Sequence, residues 1–66
     1  NMVSIDRIID KLQQWKNCST VEELNKKWIN AKKYIIKESS TIVERFELDR
    51  LIEDSYAEAL NEVLKR

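Results

Sequence analysis

The sequence predicts an all-α fold, a small antiparallel three-helix bundle. The 66 residues contain no Gly and no Pro, the residues on which tight turns, strand bulges and phosphate-binding loops depend. Apolar residues instead recur at spacings of three and four along most of the chain, which is the period of an amphipathic helix. A chain of this length forms one domain with a small core, and we expect that domain over residues 3–66.

The first helix is predicted from about Val3 to about Asn17. Its apolar residues follow the helical period with charged residues between them: Ile5, Ile8, Ile9, Leu12 and Trp15. The helix should end in the run from Asn17 to Thr20, because these polar side chains bond to the backbone and compete with helix formation.

A second helix should begin at Ser19 or Thr20. Two pairs fit the S/T-x-x-E capping box: Ser19 with Glu22, and Thr20 with Glu23. The apolar seam that follows is spaced by three and four residues: Val21, Leu24, Trp28, Ala31 and Ile35. Trp28 lies in the middle of this seam, so we interpret it as part of the core rather than as a binding platform.

The third helix is predicted to follow Thr41, which repeats the capping box with Glu44. Its first apolar residues, Ile42, Val43 and Phe46, are rotated by roughly 100° on the helical wheel from the later apolar set. One straight helix would not bury both sets against the same neighbour. We therefore expect a break near residues 47–49, in the form of a bend, a loop or a short separate turn, with Asp49 as a candidate cap for the final helix.

Short connections between the three helices favour an up-down-up arrangement. The residues expected mostly in the core are Leu12, Trp15, Leu24, Trp28, Ile35, Ile52, Tyr56 and Leu60. The same heptad-like spacing also permits a homo-oligomer that pairs through an exposed seam.

Charge is balanced overall but not along the chain. Residues 1–40 contain eight basic and five acidic residues, a net charge of +3, whereas residues 41–66 contain four basic and seven acidic residues, a net charge of −3. Helix faces that complement each other in the fold explain this division, and two patches for two partners would explain it as well.

The composition argues against an enzyme and against a resident cofactor or metal. Without His the usual general base near neutral pH is missing, and one Cys with no His makes neither a zinc site nor an internal disulfide. Sequence-specific DNA binding is not expected, because the last helix is acidic and the second helix lacks the Arg that most often reads bases. No apolar run is long enough to span a membrane, and we expect a cytoplasmic protein.

One side of the second helix carries a polar stripe of Lys26, Asn30, Lys33 and Lys37, beside a second apolar edge of Ile29 and Ile36. A solvated face and ordinary packing against two neighbouring helices explain these features. The alternative is a shallow site for an acidic peptide tail or a phosphate backbone.

Residues 18–64 resemble the C-terminal helical domain of phage single-strand annealing recombinases of the Red-beta and RecT kind. The resemblance rests on a hydroxyl pair, an acidic pair, a Leu and an aromatic residue four positions later, and then on the apolar pattern of the last helix. The matching positions are Ser19, Thr20, Glu22, Glu23, Leu24, Trp28, Leu48, Ile52, Tyr56, Ala59 and Leu60.

The resemblance implies an interaction module used as an adaptor in phage or bacterial DNA recombination. In that family the C-terminal domain docks a partner exonuclease and the acidic tail of the single-stranded-DNA-binding protein. A tail that ends in apolar residues would need lysines beside a hydrophobic notch. The candidate partner-binding residues are therefore Lys26, Ile29, Lys33, Ile36 and Lys37. Two other functions remain open, a self-associating structural protein and a small inhibitor or regulator of a host enzyme.

Overall fold

The computed structural model describes residues 5–66, with side chains from Asp6 onward. Within that range the chain forms α1 (Ile5–Gln14), a 3₁₀ turn (Trp15–Asn17), α2 (Val21–Glu38) and α3 (Ile42–Leu64), and it forms no strand. The predicted all-α three-helix fold is confirmed. The predicted start of the first helix near Val3 lies outside the described residues.

Both interhelical connections end in a side-chain cap. The Thr20 hydroxyl accepts a hydrogen bond from the backbone N–H of Glu23 at 3.1 Å, and the Thr41 hydroxyl accepts one from Glu44 at 3.1 Å. The Glu44 carboxylate in turn accepts from the N–H of Ser40 at 2.9 Å. These bonds satisfy N-terminal amides that have no partner inside the helix. The capping residues expected at α2 and α3 are therefore the ones observed, with Thr20 rather than Ser19 at the first.

Contacts between side chains define the direction of each helix. Asn25 bonds to Tyr56 and Lys32 bonds to Asp49, so α3 runs antiparallel to α2. Lys16, just after α1, pairs with Glu58 at 3.7 Å, while Ile9 lies near Leu51 at the other end of the same groove. Helix α1 therefore runs parallel to α3, and the predicted up-down-up arrangement is observed.

The C-terminal residue joins the last helix to the first connection. The Arg66 guanidinium donates hydrogen bonds to the backbone carbonyls of Cys18 at 2.9 Å and Lys16 at 2.6 Å. Carbonyls at the end of a helical segment lack partners within the segment, and a cation is favourable there. Arg66 therefore supplies hydrogen-bond donors to the carbonyls at the end of the 3₁₀ turn, although it lies about 50 residues further along the chain.

The core lies where the three helices meet along the part of α3 from Leu48 onward. Its buried residues are Ile8, Leu12, Trp15, Cys18, Leu24, Ile35, Leu48, Ile52, Ala59 and Val63. Five of the eight predicted core residues belong to this group. The other three, Trp28, Tyr56 and Leu60, are partly exposed and pack against it.

The predicted break near residues 47–49 is wrong. Helix α3 continues without interruption from Ile42 to Leu64, and Asp49 pairs with Lys32 rather than capping a helix. The prediction assumed that both apolar sets of this segment had to be buried. In the structure the buried residues of this segment all come from the later set, whereas Ile42, Val43 and Phe46 are 72%, 68% and 73% exposed. An uninterrupted helix is compatible with this because the first apolar set is not buried.

No helix in residues 5–66 combines the length and the apolar character needed to cross a membrane.

Candidate partner-binding surface

The five candidate partner-binding residues share one side of α2. Leu24 and Ile35 point into the core, and a helix turns by about 100° per residue, so side chains that follow them by one or two positions point outward. Lys26, Ile29, Lys33, Ile36 and Lys37 are all exposed. We call this set the lysine face.

The two isoleucines of the lysine face do not pack between helices, although packing was the simpler interpretation of the sequence. Ile29 is 46% exposed and Ile36 is 63% exposed. Lys33 precedes Ile36 by three residues and follows Ile29 by four, which places it next to both on the helix surface. The lysine face therefore offers apolar contact area directly beside a positive charge.

The lysines of this face are not neutralised by the fold. Among residues 6–66, none of Lys26, Lys33 and Lys37 forms an ion pair, whereas Lys16 and Lys32 each do. The excess positive charge of residues 1–40 is thus only partly offset by the acidic α3. Three of the lysines without an ion-pair partner among the described residues therefore lie together on the outward side of α2.

Lys32 lies next to the lysine face but has a structural role. Its ammonium pairs with both Asp49 and Glu53 on α3 and lies 5.5 Å from the centre of the Trp28 ring. Burial alone would lower the pKa of this ammonium, but hydrogen bonds to the two carboxylates, and their charges, outweigh the desolvation and raise the Lys32 pKa. Lys32 remains charged near neutral pH and links α2 to α3.

Trp28 joins the same two helices and is not an open platform. Its ring centroid lies 5.1 Å from that of Tyr56, with the two planes tilted by 36°, a geometry in which aromatic rings attract each other. The Tyr56 hydroxyl donates a hydrogen bond to the Asn25 side chain at 2.5 Å. The indole N–H of Trp28 is buried and has no partner among the described residues. Trp28 therefore packs inside the α2–α3 contact, as the sequence predicted.

The single cysteine is part of the core. Cys18 is buried, and burial raises the pKa of its thiol, with the nearby Glu23 charge acting in the same direction and Lys27 and Arg66 opposing it. A thiol held in its neutral form is a poor nucleophile. Cys18 therefore fills space rather than contributing chemistry. The described residues also contain no cluster of three or more acidic, Cys or His side chains that could hold a metal ion.

A second exposed surface, on α3, is not among the candidate sites predicted from the sequence. Ile42, Val43 and Phe46 lie in the open, and Phe46 borders a shallow groove that Glu47, Asp49, Arg50 and Glu53 also line. The signal was present, since these apolar residues are out of phase with the rest of the helix. That pattern predicts a helix break, whereas in the structure it marks an uncovered surface.

Comparisons of the chain with family models, with curated proteins and with solved structures found no match.

Proposed function

We propose that this chain is a non-catalytic protein–protein interaction module whose lysine face binds an acidic peptide segment that carries apolar residues. The observation that carries the proposal is the group of three exposed lysines without ion-pair partners among the described residues, placed around two exposed isoleucines. Charge complementarity speeds the encounter of such partners, and a buried apolar side chain then slows dissociation.

Within this proposal, the partner is the acidic tail of a bacterial single-stranded-DNA-binding protein or a recombination nuclease, and the module is a cytoplasmic adaptor in phage or bacterial DNA recombination. Support for that partner comes from the resemblance of residues 18–64 to annealing-recombinase C-terminal domains. Support for the chemistry comes from the lysine face, since a tail with acidic residues followed by apolar ones would match both of its components.

The first test is a titration with a fluorescent Asp-rich peptide that ends in two apolar residues. The double variant Lys33→Glu/Lys37→Glu should bind at least about 4-fold more weakly, because two attractions worth about 0.2–1 kcal/mol each become repulsions of similar size. The matched control is Lys11→Glu/Lys27→Glu, which makes the same charge change away from the lysine face and should bind like the wild type. Equal losses in both double variants would mean that only net charge matters and would refute the site.

The apolar component and the partner need separate tests. Ile36→Ser should weaken binding of the same peptide while leaving its salt dependence unchanged, because the charges remain. Purified single-stranded-DNA-binding protein should be retained by the immobilised domain only when its acidic tail is present. Retention of the tail-less protein would refute the tail as the recognised element, and binding of the peptide without binding of the whole protein would refute this choice of partner.

A further inference from the structure

The outward side of α3 carries a second heptad-like seam over most of the length of the helix. Its residues are spaced by three and four: Val43, Phe46, Arg50, Glu53, Ala57, Leu60 and Leu64. We call this set the outer seam. Leu60 is partly exposed and the other six are exposed, so the seam is separate from the buried set of Leu48, Ile52, Ala59 and Val63.

No described helix covers the outer seam. Helix α1 lies against a different side of α3, where Leu51, Ser55 and Glu58 line the groove between the two helices. Helix α2 contacts α3 through Asp49 and Tyr56, and it reaches only the edge of the outer seam, where Lys32 pairs with Glu53 and Leu60 packs against the core. A soluble helix that is apolar on two sides normally has a second neighbour, and the exposed part of the outer seam has none within residues 5–66.

The pattern of the outer seam is complementary to itself when a copy is reversed. If position 50 on one helix faces position 53 on an antiparallel copy, Arg50 meets Glu53 of the second copy, and the reverse pair forms as well. The same register places the large Phe46 opposite the small Ala57, and Val43 opposite Leu60. A single register therefore pairs opposite charges and also pairs large side chains with small ones. Polar residues within a seam specify the pairing of helices in this way.

The exposed area agrees with a small interface between two copies. Val43 and Phe46 are each about two-thirds or more exposed, and together with Leu60 and Ala57 they offer roughly 300 Å² of apolar surface in this register. A two-fold interface counts this area on both copies and adds the four charged side chains. The total approaches the roughly 1,000 Å² at which specific interfaces begin.

We propose that the occupant of the outer seam is a second copy of this chain, packed antiparallel along α3 with Arg50 of each copy paired to Glu53 of the other. Glu53 also pairs with Lys32 in its own chain, and a carboxylate has acceptor sites for both cations. The Lys32 pairing orients Glu53 before the second copy arrives, which reduces the entropy lost on association. This proposal is independent of the acidic-peptide proposal, because the outer seam belongs to α3 and the lysine face to α2.

Sedimentation analysis of three proteins tests the proposed register. The wild type should be a dimer at about 100 µM and largely a monomer at about 1 µM, the range expected for a small interface. Arg50→Glu alone places like charges opposite each other at both pairing sites, and so does Glu53→Arg alone. Each variant should therefore be a monomer at about 100 µM. An equimolar mixture of the two variants should form a heterodimer, because both of its cross-pairs are again of opposite charge.

Control variants test whether the loss of the dimer is specific to the outer seam. Arg7→Glu makes the same charge change as Arg50→Glu on the exposed surface of α1 and should leave the dimer unchanged. Circular dichroism of each variant checks that helicity is retained, which matters most for Glu53→Arg because it places a second cation near Lys32. If Glu53→Arg unfolds, Phe46→Ser combined with Ala57→Ser supplies an uncharged disruption of the same seam and should also give a monomer.

Three other outcomes of the sedimentation experiment would overturn the proposal. A wild type that stays monomeric at about 100 µM shows that a second copy does not occupy the seam. Single variants that still dimerise place the interface elsewhere, and a mixture that stays monomeric rejects the antiparallel register. Titration of Arg50→Glu with the acidic peptide distinguishes the two proposals, since this variant should lose the dimer but retain the lysine face.

Discussion

Two neighbouring isoleucines of α2 offer the sharpest test of the fold. Ile35 is 2% exposed and Ile36 is 63% exposed, yet both lie in the last turns of the same helix. Replacing either by Ala makes the same chemical change and the same small change in helix propensity. Any difference in stability between Ile35→Ala and Ile36→Ala therefore reports burial alone.

The expected difference is large for a domain of this size. Removing a fully buried Ile side chain costs about 2–5 kcal/mol, which includes the cavity that is left. The same change at a mostly exposed position costs about 0.5 kcal/mol or less, because little apolar area is lost and Ala favours the helix. We expect the free energy of unfolding to differ by about 3 kcal/mol between the variants. A domain of 66 residues is stabilised by only roughly 3–10 kcal/mol, so Ile35→Ala should lose about a third or more of the total stability.

Urea denaturation followed by circular dichroism measures this difference. With a slope of about 1 kcal/mol per molar urea for a small domain, the midpoint of Ile35→Ala should lie about 3 M below that of Ile36→Ala. The comparison should be made at two protein concentrations, because any contact of Ile36 with a second copy would appear as a concentration dependence. Similar losses of unfolding free energy in both variants at low concentration would mean that Ile35 is not the inward-facing residue. That result would refute the assignment of which face of α2 points to the core, and with it the position of the lysine face.

Two further predictions concern titratable groups. Below the ordinary lysine pKa of 10.5 the ion pairs of Lys32 contribute fully to stability, and since the folded state raises that pKa, the contribution is lost as the pH rises through it. The difference in unfolding free energy between wild type and Lys32→Met should be constant from about pH 7 to 10 and should shrink above about pH 10.5. If this difference already begins to shrink before the pH reaches about 9, the pairing is contradicted. Cys18 is buried with a raised pKa, so an aromatic disulfide reagent at about pH 8 should label the folded domain at least about 100-fold more slowly than the urea-unfolded chain. Rapid labelling without urea would show that the 3₁₀ turn opens easily.

The sequence was sufficient for the elements and for most of the core. The absence of Gly and Pro, the period of three and four, and the capping boxes at Thr20 and Thr41 depend only on local physics. A hydroxyl followed three residues later by Glu satisfies the same backbone amides whatever surrounds it. Helix boundaries and the inward direction of Leu24 and Ile35 could therefore be predicted without knowledge of the neighbours.

The candidate site could be predicted only in part. The periodicity of α2 places Lys26, Lys33 and Lys37 opposite the core seam, so their exposure follows from the sequence. Whether those lysines are neutralised by the acidic α3 depends on which residues the fold brings together. Lys32 reaches Asp49 and Glu53 because of the antiparallel register, and no spacing along the chain encodes that choice.

The sequence by itself determined three amphipathic helices and the N-terminal caps of α2 and α3, because each of these depends on residues a few positions apart. Only the tertiary structure decided that α3 continues without interruption from Ile42 to Leu64. An apolar face bends a helix toward a neighbour only where a neighbour exists, and α1 runs beside α3 along Leu51, Ser55 and Glu58, leaving the side with Val43 and Phe46 uncovered. The same arrangement left the outer seam exposed. Periodicity is a property of the local sequence, whereas burial depends on how the helices are placed around one another.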